Sequence, residues 1–235
     1  MIHILWCTIR PDAFKQMHPY WKGRAKNPEN LITHVAVNFE EHKNSIEKYF
    51  SNDNNYRIIV VNTDKIGVCY PSYQLSSTTE GGSGDIVIFA SDDFLPPQNW
   101  DDYLIKKLEG KEGGLMVRDG YQLPDSSNMQ YPAITIPIMT WGCFEKLNKT
   151  IYNPVYTHMY SDCELYLNLK DSGLLIDDRM NDLTVFEHLH HAAGKRRADQ
   201  LDVQYHAKWQ EDEITWNKRK NMNVLDRIYE KENKN

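Results

Sequence analysis

The sequence lacks several features that would settle its class at once. Its four cysteines (Cys7, Cys69, Cys143, Cys163) lie far apart with no Cys-x-x-Cys pair, which argues against a disulfide framework and a zinc knuckle. No window approaches the roughly 18 apolar residues of a membrane span, and the amino terminus lacks a signal peptide's basic region. With 27 basic against 33 acidic side chains, the net charge is −6, which argues against a nucleic-acid coat. These absences predict a soluble, cytoplasmic protein.

Apolar residues are present in an amount and a pattern that predict an α/β fold. They make up 40% of the 235 residues, enough for one substantial core. The apolar runs are continuous rather than alternating, as expected for strands covered on both faces. We therefore predict a mixed, mostly parallel central sheet flanked by helices. Its predicted strands are Ile2–Thr8, Thr33–Val37, Arg57–Val61, Asp85–Ala90, Gly114–Val117 and Ala133–Met139.

Polar segments between these runs divide into predicted helices and loops. Amphipathic spacing predicts helices at Glu41–Phe50, Trp100–Leu108 and Ser161–Leu169, the last opening with a capping box formed by Ser161 and Glu164. Glycine, serine and proline predict loops at Pro71–Gly84 and Asp119–Tyr131. The charged tail predicts a helical extension at residues 201–235, packed on a domain of residues 1–200.

Two acids follow the predicted strand Asp85–Ala90. Asp92 and Asp93 come just after it, before a Pro-Pro turn. Ligands of open α/β sheets bind beyond the carboxyl ends of strands, and carboxylates with a diphosphate commonly hold Mg²⁺ or Mn²⁺. The alternative interpretation is that the two acids only cap the turn.

This strand-acid-acid-Pro segment resembles the metal-binding region of GT-A fold nucleotide-sugar glycosyltransferases of the family 2 type. The family pattern is commonly Phe-Leu-Asp-x-Asp-Asp, and here Ala90 replaces the first Asp. The resemblance implies a GT-A type, Rossmann-like fold in which Asp93 ligates Mn²⁺ or Mg²⁺. It implies that Asp92 contacts the nucleotide ribose or the metal's water.

The first two strands end in residues similar to the family's nucleotide loop. Thr8, Ile9 and Arg10 correspond to the loop under the nucleobase, and Asn38 would face uracil. An amide suits this role because its NH₂ and C=O can pair with a base edge. For each residue the alternative is ordinary strand-to-loop chemistry.

The resemblance also implies a general base at the start of a later helix. Asp162 takes the family's acidic position, with Ser161 where Glu is common. Sugar transfer with inversion needs such a base to deprotonate the acceptor hydroxyl. Trp141 and Gly142 match a segment that often lines the sugar pocket in the family. The alternatives are a helix-dipole role for Asp162 and a core role for Trp141.

A histidine-rich segment, Val185–Asp199, matches a further family feature. His188 or His190 would complete the metal site with Asp93, and Lys195 would screen the leaving diphosphate. The alternative is a solvated basic loop with one core histidine.

The expected function is metal-dependent, inverting transfer of a sugar from a UDP donor to an acceptor hydroxyl. The acceptor stays open: a glycan, a lipid-linked glycan, a protein or a modified DNA base, including a polyanionic one that meets a basic face. The long segment Asp12–Leu31 is interpreted as a flap or a surface decoration. Two rival functions remain. A nucleotidyltransferase also uses carboxylate-held Mg²⁺ beside a strand. A binding module without chemistry stays open because Ala90 and Ser161 replace usual acids.

Overall fold

The computed structural model describes residues 1–61, 67–120, 132–181, 183–191, 194–198 and 200–230. Its strands are β1 (Ile2–Thr8), β2 (Leu31–Val37), β3 (Tyr56–Val60), β4 (Ile86–Ala90), β5 (Phe94–Leu95), β6 (Gly114–Met116), β7 (Ile138–Thr140), β8 (Leu175–Asp177) and β9 (Glu187–His188). Its helices are α1 (Pro11–Gly23), α2 (Glu40–Tyr49), α3 (Cys69–Thr78), α4 (Trp100–Leu108), α5 (Trp141–Lys146), α6 (Ser161–Asp171), α7 (Gln200–Ala207), α8 (Trp209–Arg219) and α9 (Val224–Tyr229). The predicted α/β class is confirmed.

The central sheet has seven strands in the order β3-β2-β1-β4-β7-β6-β8. Strands β1 to β4 run parallel, whereas β7 is antiparallel to both of its neighbours. The register pairs Thr8 with Val37 and Trp6 with Ala90, so β1, β2 and β4 end at one edge. The short strands β5 and β9 form a separate antiparallel pair just beyond that edge.

Alternate side chains of β1 enter the two hydrophobic cores, one on each face of the sheet. Ile2, Ile4 and Trp6 pack in the core covered by α1, α2 and α4, whereas Leu5 points into the opposite core. The opposite core is covered by α3, α5 and α6, and it also receives Trp216 of α8. Burial on both faces explains why the strand sequences are continuously apolar.

Two predictions for the helical layers were wrong. The predicted loop Pro71–Gly84 contains most of α3, whose Ser72 and Ser76 are fully buried, so polar composition hid a core-facing helix. The segment Asp12–Leu31 is no flap, because α1 buries Phe14 and Trp21 completely. Most of the predicted loop Asp119–Tyr131 lies outside the described residues.

The predicted helix at Ser161–Leu169 is confirmed as α6, but its predicted capping box is not formed. The Ser161 hydroxyl donates to the carbonyl of His158, and Glu164 pairs with Arg219 of α8 instead. All four cysteines are free. Within the ranges given above, no helix combines the length and the apolar character that crossing a membrane requires.

Candidate active site

The carboxyl edge of the sheet brings together three loops that the sequence analysis singled out. Residues 8–10 follow β1, Asn38 follows β2, and residues 91–93 follow β4. The Thr8 hydroxyl accepts a hydrogen bond from the amide of Arg10 at 2.9 Å, which turns the chain out of the strand. Ile9 is exposed and Asn38 is half-buried, so both border open space beyond the sheet.

Arg10 and Asp92 form a two-pronged ion pair across this edge. The Arg10 Nε atom lies 2.9 Å from one carboxylate oxygen of Asp92, and its terminal nitrogen lies 2.8 Å from the other. This fork-to-fork geometry fixes both side chains. Burial raises the pKa of Asp92, with the Arg10 charge opposing that rise. Asp92 therefore ties the first loop to the end of β4.

His188 lies beside Asp93, although the two are far apart in sequence. The His188 Nε2 atom is 3.3 Å from Asp93 Oδ2, and the imidazole stacks on Phe94 with ring centroids 4.2 Å apart. The β5–β9 pairing causes this contact, because Phe94 is the register partner of His188. The amide of Leu189 also donates to the Asp93 carbonyl at 2.7 Å.

Asp93 is held in its ionised form. Burial acts to raise the pKa of Asp93, but the hydrogen bond and charge of His188, the Ser91 hydroxyl and the charge of Arg196 outweigh it. The pKa is lowered to about 2. The Arg196 guanidinium lies 3.9 Å from Asp93 Oδ2. The result is a carboxylate surrounded by nitrogen and hydroxyl groups at the mouth of the site.

His190 and Lys195 lie near the Asp93–His188 pair and make different contacts. The His190 ring centroid is 4.9 Å from that of His188, and burial together with the His188 charge lowers the pKa of His190 to about 4. Lys195 is further out, where its Nζ donates to the carbonyl of Gly120 at 3.2 Å and pairs with Glu187 at 3.3 Å. Lys195 is thus a surface cation near the site.

Asp162 enters from the opposite core, in the first turn of α6. Its Oδ1 atom accepts a hydrogen bond from the amide of Cys163 at 2.9 Å. Burial raises the pKa of Asp162, although that amide and the charge of His188 oppose the rise. The charge of His188 therefore acts on Asp162 as well as on Asp93. A carboxylate with a raised pKa is a better proton acceptor.

The donor set at Asp93 and His188 fits a divalent cation that also binds a diphosphate. One carboxylate oxygen and one imidazole nitrogen 3.3 Å apart are two ligands that can meet on one Mn²⁺. No cluster of three or more His, Cys, Asp or Glu ligands suited to a metal occurs in the described part of the chain. The remaining ligands would come from substrate phosphates and water, as is usual for Mg²⁺ sites.

Trp141 and Gly142 are not part of this site, which corrects their assignment to the sugar pocket. Strand β7 runs antiparallel to β4, and its register pairs Thr140 with Ile86, the first residue of β4. Trp141 therefore follows at the amino edge of the sheet, where its ring packs 5.5 Å from that of His3. Gly142 follows Trp141 at the same edge. A Cβ added to Gly142 would come within 2.8 Å of the Glu112 carboxylate.

Tyr152 is a site residue that the sequence did not reveal. It is 7% exposed and packs edge-on against Phe89 of β4 at 5.3 Å. Burial, with the charges of Asp162 and Asp93 contributing, raises the pKa of its hydroxyl. The charges of both carboxylates thus act on the Tyr152 hydroxyl. It belongs to no motif and to no helix or strand, so only the three-dimensional arrangement identifies it.

The sheet order and the antiparallel β7 give the chain the GT-A type fold that the sequence predicts. No protein-family model matches the chain, and no curated protein is significantly similar to it. Solved structures are similar in fold at low identity.

Three solved structures illustrate this likeness. A structure of S. aureus TarS 1–349 in complex with UDP-GlcNAc matches with a TM-score of 0.62 and 11% identity, over 85% of this chain and 60% of that one. The mannosyltransferase PcManGT of Pyrobaculum calidifontis, in complex with GDP-Man and Mn²⁺, matches with 0.59 and 15%, over 89% and 64%. A putative glucose-1-phosphate thymidylyltransferase of Bacillus anthracis matches with 0.52 and 9%, over 87% and 94%. This chain spans 43% of the longer TarS structure.

Proposed function

We propose that the protein is a metal-dependent glycosyltransferase that transfers a sugar from a nucleotide donor to an acceptor hydroxyl. The observation that carries the proposal is the Asp93–His188 pair, 3.3 Å apart at the carboxyl edge of β4, with the charge of His188 also acting on Asp162. This edge is where ligands of open α/β sheets bind. Fold alone would not define an activity, so the proposal rests on these side chains.

Residues 8–10 and Asn38 are proposed to receive the nucleotide base and ribose of a UDP donor. The Arg10–Asp92 ion pair supports this role, because it holds the first loop rigidly beside the metal pair. The Asn38 amide offers both a donor and an acceptor, which the edge of uracil requires. One fold neighbour binds UDP-GlcNAc and another binds GDP-Man, so the fold alone does not select uracil over guanine. The choice of uracil therefore rests on Asn38.

Asp93 and His188 are proposed to hold Mn²⁺ or Mg²⁺, with His190 as the alternative imidazole. When bound, the cation would supply positive charge against the departing diphosphate. Arg196 and Lys195 carry further positive charge on the same side, and Arg196 is the nearer to Asp93. Their role would be to orient the phosphates and to stabilise the charge that develops on them.

Asp162 is proposed to be the general base of an inverting reaction. Its carboxylate accepts the proton of the acceptor hydroxyl as that oxygen attacks the anomeric carbon. The bond between the anomeric carbon and the diphosphate oxygen breaks, and its electron pair leaves with UDP. The raised pKa of Asp162 increases the affinity of its carboxylate for the proton.

The acceptor is proposed only as a molecule with a free hydroxyl. Glycan, lipid-linked glycan, protein and modified DNA base all fit this description. Two basic residues of the segment Asp12–Leu31 do not favour a polyanion, because Lys22 pairs with Asp53 and Lys26 pairs with Asp102. The four free cysteines support a reducing compartment such as the cytoplasm.

Product analysis separates this function from that of a nucleotidyltransferase of related fold. The protein is incubated with UDP-glucose, UDP-GlcNAc and UDP-galactose, and separately with UTP and each sugar 1-phosphate, in Mn²⁺. Release of UDP from one sugar nucleotide supports the proposal. Release of pyrophosphate from UTP would replace it with nucleotidyl transfer, and UDP binding without either product would indicate a binding module.

A further inference from the structure

A carboxylate of α8 holds the loop that leads into α6. Asp212 is 2% exposed and accepts hydrogen bonds from three consecutive backbone amides. They belong to Thr157, His158 and Met159, at 2.7, 2.9 and 2.8 Å. Both carboxylate oxygens are used. Buried amides without such a partner would each carry a substantial desolvation penalty, so Asp212 determines the path of this loop.

Two further contacts from α8 hold the residues on either side of Asp162. The Trp216 ring stacks on that of Tyr160, with centroids 5.9 Å apart and planes within 10°. The Arg219 guanidinium makes a two-pronged ion pair with Glu164, at 2.8 and 2.9 Å, and both side chains are buried. Asp162 thus lies between two residues that α8 fixes.

The backbone between these contacts is tightly constrained. Tyr160 has φ of 63°, the left-handed region that a bulky residue rarely adopts. Gly67 packs so closely against the loop that an added Cβ would lie 2.0 Å from the carbonyl oxygen of Thr157. Held by Asp212 on one side and Gly67 on the other, the loop delivers Asp162 in one orientation.

We propose that Asp212 is a positioning residue for the general base Asp162. The inference rests on the proposed glycosyltransferase function and deepens it. It gives Asp212 of α8 a role in positioning the base, although α8 lies outside the domain of residues 1–200 that the sequence predicts. Misplacement of a reacting group by about 1 Å can cost 100-fold in rate, which is the scale of effect expected here.

The test compares Asp212→Asn with Glu211→Gln, a matched control on the same helix. The amide introduced at position 212 would turn an NH₂ group toward at least one of the three N–H donors, whereas Glu211 is exposed and pairs with Lys208. Hydrogen exchange of peptides covering residues 156–164 reports the loop. UDP titration in Mn²⁺ gives affinity and the fraction of competent protein. UDP release is followed with the panel member that the wild type hydrolyses fastest.

The expected result is faster exchange at residues 157–159 and a 10- to 100-fold lower kcat in Asp212→Asn. UDP affinity, stoichiometry and KM should stay within about twofold, and Glu211→Gln should match the wild type. Faster hydrogen exchange with an unchanged kcat would overturn the inference. A loss of UDP affinity as large as the loss of kcat would overturn it as well. A wild type that neither binds UDP nor releases it would instead defeat the proposed function, and this inference with it.

A second variant covers the case in which Asp212→Asn does not fold. Trp209 is 37% exposed, and its indole N–H donates to the Tyr160 hydroxyl at 2.7 Å. Trp209→Phe removes that hydrogen bond from an exposed position. A two- to fivefold fall in kcat at constant KM and UDP affinity is expected. A kcat equal to that of the wild type would contradict the view that α8 positions the base.

Discussion

Asp93 and His188 lie side by side, with 3.3 Å between Oδ2 and Nε2, although 95 residues of sequence separate them. Two strands of two residues each, β5 and β9, bring them together. The contact joins a carboxylate at the end of the central sheet to an imidazole from a later segment. It is the geometric basis of the proposed cation and diphosphate site.

The two neighbouring histidines are expected to differ in their effect on metal binding. His188 contacts Asp93, whereas the contact shown for His190 is with the ring of His188. His188→Ala should weaken Mn²⁺ affinity in the presence of UDP by at least tenfold, and His190→Ala by less than threefold. Manganese titration followed by electron paramagnetic resonance measures both. A larger loss in His190→Ala would assign the metal to the other imidazole.

Asp162→Asn should remove transfer without removing nucleotide binding. The amide is nearly isosteric but accepts a proton poorly, so kcat for UDP release should fall by about 10² to 10⁴. UDP affinity should stay within about twofold, because the proposed partner of Asp162 is the acceptor hydroxyl and not the nucleotide. The measurement is a kcat and KM determination beside a UDP titration. Retained turnover would show that another base acts or that the reaction does not invert.

Trp141→Phe should affect stability and leave the donor site unchanged. Trp141 packs on His3 at the amino edge of the sheet, away from Asp93. Loss of part of a buried indole typically costs about 1 to 3 kcal/mol of the free energy of unfolding. Urea denaturation measures this cost, and the KM for the sugar nucleotide should not change. A selective rise in that KM would restore Trp141 to the sugar pocket.

The protein should lose stability as the pH falls below about 6.5. Burial, with the Lys22 charge adding, lowers the pKa of His18 to about 4, and burial with the His3 charge lowers that of His34 to about 3. Both are neutral in the fold, so below pH 6.5 the unfolded chain binds more protons and stability falls. Each histidine should cost about 1 to 2 kcal/mol by pH 5.

His18→Gln isolates one of these contributions. The His18 ring lies between the hydroxyls of Tyr49 and Thr33, at 3.0 and 3.1 Å, and glutamine can replace its hydrogen bonds without titrating. The unfolding free energy of His18→Gln should therefore fall less steeply between pH 7.5 and pH 5 than that of the wild type. Equal slopes for the two proteins would contradict the lowered pKa of His18.

The sequence predicted the sheet better than it predicted the site. Continuous apolar runs located β1, β2, β4 and β6, because both faces of these strands are buried, and they also located the half-buried edge strand β3. The predicted placement of Trp141 was wrong because β7 is antiparallel to β4, so the residue after β7 lies at the opposite edge of the sheet. The sequence of a three-residue strand does not indicate its direction. Helix α3 was not predicted because its serine-rich sequence is typical of a loop, although Ser72 and Ser76 are buried in the structure.

The sequence located both acids and implied His188 beside Asp93, but it did not reveal the ion pairs of Asp92 and Glu164. Asp92 and Asp93 follow a recognisable strand, but the Arg10–Asp92 pair depends on the register between β1 and β4. The role of Glu164 was misread as local capping, since its partner Arg219 lies 55 residues away. Long-range ion pairs of this kind leave no pattern in a single sequence.

Titration of UDP into the protein, in Mn²⁺ and then in excess chelator, tests the central claim most directly. It needs no knowledge of the sugar or the acceptor. The account predicts that the wild type and the control Asp102→Asn bind UDP at least tenfold more tightly in Mn²⁺. Asp93→Asn should bind UDP weakly and equally in both conditions. Metal-independent UDP binding by the wild type, or metal-enhanced binding that survives in Asp93→Asn, would contradict the assignment of Asp93 to a metal-nucleotide site.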